Sequence, residues 1–541
     1  MKRDLSRLAG DTFDVLVVGG GIHGAAAARA AAAGGLRTAL IEQQDFGHAT
    51  SANSLKIIHG GLRYLQRLDF AKIRDSVAAR RAVLRRFPHL AAALPCVLPT
   101  RGFTTRGRAA MAVALALNDL LSFDRNRGVA ADCALPGGRT ISRGELERRA
   151  PGLDVSGASG GALWYDGIAL DTERLVLELA LDADAAGAVV ANRVRAEGLL
   201  TSRGRVEGVR ARDAVDGKEL EIRARITITA AGPWHGELER GVSPAGAGPP
   251  LARAINIVVA RPIFSDTAVG VEARRGGRLF FFVPWRGGTM IGTLYLAHDG
   301  APGACAVSTT DLALMVGEIN RIHPAARIKP EEVRFAHVGL LPLTPGLAPG
   351  AAVEAGLLKR PRLIDAAREL GVEGLVGVVG IKYTTGMTVG ARAVDLAAAK
   401  LGRVVPAPAW PPAADAITPP TCPRDLDPAV ALRLARSYGA GAAAIFQDLG
   451  ADCSHARRID HGQPTTIAEV RHAVREEMAL SLADVVLRRT PLGTMGHPGR
   501  AALEACARVA GAELGWDEPR RAREIALVEN EYLRLTGRPT P

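Results

Sequence analysis

A short apolar run without polar alternation, TFDVLVV at residues 12–18, passes straight into three glycines and then into an alanine-rich stretch over residues 25–33. Apolar and β-branched residues broken only by Asp14 predict a strand covered on both faces, and the alanine run predicts a helix that stops at Gly34-Gly35. RTALIE predicts a second buried strand ending at Glu42. Residues 188–224 alternate short strands with turns such as SRGR, and RITITA is a further apolar strand. RLFFFVPWRGGTMIGTLYL reads as two strands around a tight turn and EEVRFAHVGLLPL as a third, which suits an antiparallel sheet. Leu375 to Val379 is one more apolar strand, followed by a helix expected from about Thr388 to Leu401. Past a Pro/Ala-rich linker at 404–423 the period becomes helical, in IAEVRHAVREEMALSLADVVLRRT and ELGWDEPRRAREIALVENEYLRL.

This order of elements predicts an α/β chain (α+β overall) with a Rossmann-like nucleotide-binding domain, an antiparallel-sheet cap for the substrate and a helical C-terminal domain. The nucleotide domain is expected over residues 1–85, 150–249 and 350–403, the cap over 86–149 and 250–349, and the helical domain over 424–541.

Composition changes this picture little. A chain of 541 residues with 48% hydrophobic and 23% charged residues has room for two or three soluble domains. The net charge of +12 raises the question of nucleic acid or an anionic membrane. The arginines are scattered among acids, however, and no nucleic-acid partner is expected. The densest basic stretch, AARRAVLRRF at residues 78–87, reads as a solvated helix face or as a basic face on a membrane surface. Six dispersed cysteines, with neither CxxC nor metal-ligand spacing, argue for a reduced intracellular chain without a metal site. The expected localisation is cytoplasmic, with a peripheral position on the inner face of the cytoplasmic membrane as the alternative.

The chemistry begins at GGGIHG, where Gly19, Gly21 and Gly24 form G-x-G-x-x-G between the first strand and the first helix. Glycines allow the tight turn and the approach of a pyrophosphate to the helix N-terminus, and an acid at the end of the second strand, here Glu42, suits ribose hydroxyls. Strand, glycines, helix, second strand and acid stand in register, so a dinucleotide site is expected. The polar ATSANS and the HGG that follow favour FAD over NAD. Thr50, Ser51, Asn53 and Ser54 offer hydrogen bonds to pyrophosphate and ribityl oxygens, and His59, Gly60, Gly61 and Leu62 would lie along the isoalloxazine ring.

GGGIHGAAAARAAAAGGLRTALIEQQDFGHATSANSLKIIHGGLRYL resembles the opening of FAD-dependent glycerol-3-phosphate dehydrogenases and α-glycerophosphate oxidases, whose usual form is GGGI.GAG followed by E..DF..GTSS.S.KL.HGG.RYL. AAGPW at 230–234, GIKYTTGM at 380–387 and the helical C-terminus resemble later segments of the same family. The resemblance implies FAD as cofactor, with further contacts from Val194, Gly232, Gly380, Lys382, Thr384 and Thr385. It implies transfer of hydride from a carbinol carbon to flavin N5 and of electrons to quinone or another acceptor. Arg63, Lys382 and Arg360 are the expected substrate cations, and Asn256 stands where the family has a histidine. The implied partners are a small molecule (glycerol 3-phosphate or another alcohol or amine), with a quinone, a membrane surface and a homodimer as further candidates.

The substrate pocket departs from the family pattern at four places. Leu341 replaces an arginine that grips phosphate, Asn256 the histidine, Leu294-Tyr295 a Thr-Asp pair and Gly386-Met387 a Tyr-Arg pair. These departures leave two alternatives beside glycerol 3-phosphate oxidation: a paralogue acting on a different alcohol or amine, and a non-catalytic FAD-binding protein.

Overall fold

The computed structural model describes residues 1–242, 248–272, 279–346, 352–406 and 426–537. The predicted linker falls outside them except for 404–406. The strand–helix–strand unit is present as β1 (Thr12–Val18), α1 (Ile22–Ala33) and β2 (Thr38–Ile41). β1 lies within an eight-stranded sheet in the order Arg362–Asp365, Leu375–Val379, Glu219–Thr229, β1, β2, Val189–Ala191. Every neighbouring pair on this path is parallel except the first. The predicted meander supplies an antiparallel hairpin, Val194–Ser202 with Arg205–Asp213, that extends from Glu219–Thr229.

Four further helices matter for the site: α2 (Phe70–Arg86), α3 (Arg108–Leu121), α4 (Thr172–Ala185) and α5 (Gly386–Lys400). The alanine run of α1 has a packing reason, because α4 and α5 both lie against it and every residue from Gly24 to Ala32 is buried. A Cβ at Gly390 of α5 would meet the backbone nitrogen of Ala27 at 2.8 Å, so the two helices approach to backbone contact. Asp171 caps α4, its carboxylate accepting from Arg174 N at 2.9 Å.

The second sheet has nine strands and is antiparallel but for one pair, Ala91–Arg101 with Ala268–Glu272. Its predicted hairpin, Leu279–Trp285 with Gly288–His298, turns at Arg286-Gly287, where both residues have positive φ, as the twist of a two-residue turn requires. The sheet also takes in Ile57–Ile58 and Ala158–Ala169, which the sequence placed with the nucleotide domain. Ala158–Ala169 pairs along its length with Ala91–Arg101, so both would be open edges if the sheet ended where the sequence reading put it.

Two expectations need correction. Most of the basic stretch 78–87 is tied to acids rather than presented as a basic face: Arg80 is buried against Asp166 at 2.5 Å, Arg81 pairs with Asp124, and Arg86 with Asp182 at 2.6 Å, while Arg85 is exposed. The helical run beginning IAEVRHAV is not continuous. Its helix stops at Arg475, and Met478 takes a left-handed backbone (φ +58) before the chain resumes at Leu482–Asp484 and a π turn, Val485–Arg489.

Candidate active site: a dinucleotide cradle opening on a divergent pocket

At the carboxyl ends of β1, β2, Glu219–Thr229 and Leu375–Val379 lies a cavity of about 810 Å³. Its walls run from Val18, Gly19, Gly21 and Glu42 past Ser51 and Ser54 to Asn256, Tyr295, Leu341 and Lys382. A ligand site outside the carboxyl ends of parallel strands is the expected position in an open α/β sheet.

The glycines have separate steric reasons. Gly19 has φ +107, and a Cβ on Gly24 would be driven into the Gly19 carbonyl oxygen. Gly21 faces the open cavity, where only Ser51 Oγ stands near an added Cβ, at 3.1 Å. That open face at the α1 N-terminus is room for an anion. Glu42 accepts from Gly20 N at 2.7 Å and Gln44 N at 2.8 Å, which fixes its carboxylate at the cavity wall. Burial raises its pKa, and these two N–H groups oppose the rise.

The loop after Glu42 lines the cavity, and its hydroxyls hold the protein together. Ser51 Oγ accepts from Ile22 N at 3.0 Å, and Ser54 Oγ from Lys56 N at 3.2 Å. Thr50 Oγ1 donates to Leu340 O at 3.0 Å, tying this loop to the second sheet. Val194, Gly232 and Gly380 also face the cavity. His59, Gly60, Gly61, Leu62, Thr384 and Thr385 do not form its wall. The HGG glycines have other neighbours: the Arg80 guanidinium fills the space a Gly60 Cβ would take, and the Tyr64 ring and Ser76 fill that of Gly61. His59 N is 3.3 Å from Thr384 Oγ1, which joins the HGG turn to the GIKYTT turn.

Among the expected substrate residues, Lys382 lines the cavity. Desolvation, reinforced by the Arg63 charge, brings its pKa down to about 8. Its Nζ lies 4.3 Å from the Tyr64 ring centroid, and Lys72 Nζ lies 4.4 Å from the same ring. Arg63 is outside the wall, 75% exposed and 3.4 Å from Glu354. Arg360 is 71% exposed and paired with Asp69 at 2.9 Å, also outside the wall. Asn256 is buried in the wall, its Oδ1 accepting from Thr293 Oγ1 at 2.8 Å. An amide so placed can orient a hydroxyl but has no basic site for its proton. Tyr295 and Leu341 line the same end of the cavity, and Leu294 is buried away from it. Gly386 packs on Ile22 with no room for a side chain, so a family-like Tyr there would have to move α1, and Met387 is buried.

The structure adds residues that sequence reasoning passed over. His23, within the glycine fingerprint, lines the cavity, and its ring lies over Gly380. Its buried Nε2 has no hydrogen-bond partner among the described residues, and burial holds its pKa near 4, so the ring is neutral. An orphaned polar atom in the wall, an open face at the helix N-terminus and a fixed ribose-side acid together fit FAD. His48 and Trp234, with ring centroids 6.1 Å apart, also line the cavity. The signal for His23 was its position in the fingerprint, and that for Thr293 its place beside Leu294-Tyr295.

A glycine cradle on a parallel sheet, covered by an antiparallel sheet that closes the far end of one long cavity, defines a flavin-dependent oxidoreductase. The sequence model for the FAD dependent oxidoreductase family matches residues 14–399, and that for the C-terminal domain of alpha-glycerophosphate oxidase matches 388–521. A glycerol-3-phosphate dehydrogenase of Synechocystis is 30% identical over 98% of both chains. An alpha-glycerophosphate oxidase of Streptococcus pneumoniae is 34% identical over 62% of this chain and 55% of its own. The solved glycerol-3-phosphate dehydrogenase of Bacillus halodurans, complexed with FAD, shares the fold with a TM-score of 0.72 at 22% identity, covering 98% of this chain and 97% of that one. The chain belongs to the FAD-dependent oxidoreductase family, within its glycerol-3-phosphate dehydrogenase and α-glycerophosphate oxidase group.

Proposed function

We propose that this protein oxidises the carbinol carbon of a small anionic alcohol of the glycerol 3-phosphate class. The observation that carries the reading is Lys382 in the cavity wall, a lysine whose pKa is brought down by desolvation and further by the charge of Arg63 outside the wall. A desolvated lysine with a second cation nearby is relieved by a bound anion. Lys382 would hold the anionic end from the wall and Arg63 would turn from Glu354 to meet it. The Asn256 amide, oriented by Thr293, would fix the substrate hydroxyl. FAD, when bound, supplies the acceptor for the hydrogen and electron pair removed from carbon. The test is anaerobic addition of glycerol 3-phosphate to the purified yellow protein. Bleaching of the flavin is expected, and its absence at millimolar substrate refutes the reading. Leu340, Leu341 and Tyr295 favour a second reading, an uncharged alcohol or an amine, for which polyols and amines bleach the flavin and glycerol 3-phosphate does not.

We infer further that the electrons leave to a quinone at an anionic membrane surface. The support lies on α3 rather than on the basic stretch first considered. Ala109, Ala112, Val113, Ala116 and Leu120 form an exposed apolar stripe at helical spacing, with Val113 and Leu120 each 69% exposed. Phe103 and Phe123 stand exposed beside the two ends of the helix, and Arg101, Arg106 and Arg108 are exposed near its start. No helix among the described residues is long and apolar enough to cross a membrane. Co-sedimentation with vesicles containing phosphatidylglycerol, lost in Phe103→Ser/Leu120→Ser, is the expected result. Equal sedimentation of the variant and the native protein overturns it.

A further inference from the structure

The loop between β2 and the HGG turn is gripped from the opposite side by the C-terminal helical domain. Asp45, three residues past Glu42, is fully buried. Its Oδ1 and Oδ2 accept from Arg489 Nη2 and Nη1, both at 2.7 Å, in a two-pronged pair. Arg488 Nε reaches Asp45 Oδ2 at 2.6 Å, and Asn192 Nδ2 reaches Oδ1 at 3.0 Å. The net continues outward, with Arg488 and Arg193 both on Asp484 Oδ1, at 2.5 and 2.6 Å. Burial alone would raise the Asp45 pKa, but the Arg489 and Arg488 charges hold it well below the ordinary carboxylate range. The break in the helix between Arg475 and Leu482 belongs to the same device. Met478 O accepts from Asn192 at 3.0 Å, and Glu477 O from Arg489 Nε at 3.1 Å, which requires the chain to leave the helix before Leu482.

What Asp45 holds is the wall of the nucleotide cradle. The next residue, Phe46, packs its ring where a Cβ on Gly20 would fall, and Gly47 N donates to Gly20 O at 2.9 Å. Four residues on, Ser51 Oγ takes Ile22 N at the α1 N-terminus. His48, in the cavity wall, is held neutral near pKa 4 by burial and by Arg488. Among the described residues of the nucleotide domain, Asn192 is the one that pairs with the Asp45 carboxylate.

We propose that the C-terminal domain is a cofactor clasp: Arg488 and Arg489, through Asp45, hold the 43–54 loop shut on the glycine cradle and so set how fast FAD is released. These are positioning residues, since none of the three lines the cavity. This inference rests on FAD occupying the cradle but not on the substrate reading, because the readout contains no substrate.

The experiment uses full-length holoprotein and follows free-FAD fluorescence after dilution. Asp45→Asn and Arg489→Met should release FAD about tenfold faster or more, since each leaves a charge in the net without its partner. The control is Arg433→Met, which breaks another two-pronged pair, between half-buried Arg433 and buried Glu469 at 2.6 and 2.7 Å, wholly inside the C-terminal domain. It should lower Tm while leaving FAD release within about twofold of the native rate. If Asp45→Asn does not fold, Arg488→Lys replaces it, keeping the charge and losing the fork, with faster release again expected. Native release rates in the Asp45 and Arg489 variants overturn the clasp. So does equal acceleration in Arg433→Met, which would make the effect one of general stability.

Discussion

Lys382 gives the sharpest test of the substrate site. Its protonated form is disfavoured in the free protein by desolvation and by Arg63, with a pKa down to about 8 from an ordinary value of 10.5. The difference corresponds to about 3 kcal/mol against the charged form. An anion bound against Lys382 favours its charged form, so binding takes up a proton wherever Lys382 is neutral in the free protein. The affinity for an anionic substrate should therefore be flat below about pH 7.5 and fall roughly twentyfold by about pH 9.5, as the protonated fraction drops. Lys382→Arg, which stays charged throughout, should bind with no fall over the same range. Lys382→Met should lose about 1.5–3 kcal/mol of binding at pH 7.5, roughly ten- to a hundredfold in KM. The substrate-free fold should respond in the opposite sense. A lysine with a lowered folded pKa makes the unfolded state the better proton binder between its two pKa values, so its contribution to stability improves as pH rises from about 8 to about 10.5. Lys382→Met should accordingly raise Tm at neutral pH. The assay is initial-rate flavin reduction against substrate concentration at each pH, with thermal melts alongside. A pH-independent KM in the native protein, or a native KM in Lys382→Met, would refute the reasoning.

Leu341→Arg, which restores a guanidinium to the wall, should lower the KM for glycerol 3-phosphate by roughly ten- to a hundredfold, read by the same assay; an unchanged KM means the phosphate does not reach this strand. Gly24→Ala should yield protein without FAD, measured by absorbance of the purified chain, because its Cβ has no space beside the Gly19 carbonyl. Lys56→Met should cost about 3–5 kcal/mol in chemical unfolding. It leaves Glu173, now 3.0 Å from Lys56 Nζ, buried without a counter-charge. A loss under about 1 kcal/mol would mean that water or Thr172 takes over the carboxylate.

The sequence made the cradle legible because backbone geometry dictates it. Gly19 and Gly24 are forced by a left-handed turn and by a contact that no side chain survives, and such constraints show as spacing. The strands were legible for the same kind of reason, since Thr12–Val18 and Leu375–Val379 are buried on both faces and carry no polar period. What the sequence hid are contacts between segments hundreds of residues apart. Nothing near Gly60 announces that Arg80 fills its open side, and nothing near Asp45 announces Arg488 and Arg489. The helical period of IAEVRHAVREEMALSLADVV was real as a pattern but lost to tertiary bonds, because Met478 and Glu477 turn their carbonyls to Asn192 and Arg489.

The same distinction explains why cradle and pocket can diverge separately. Leu341 sits on Val333–Pro342, where its backbone pairs with Ala252, and Asn256 on Leu251–Val259, where its backbone pairs with His337 and Gly292. Those ladders bond through main-chain groups and leave the side chain facing the cavity free to change at little cost to the sheet. Changing a cradle glycine, by contrast, moves the turn itself. Asn256 is the exception within the pocket: its Oδ1 lies where a Gly292 Cβ would fall and accepts from Thr293, so this position is bound into the bulged Leu251–Val259/Gly288–His298 pairing. A histidine at 256 therefore needs more than one substitution, whereas an arginine at 341 needs only one. Restoring phosphate affinity through Leu341 is thus separable from restoring a proton acceptor at Asn256, and the two changes should appear in KM and in kcat respectively.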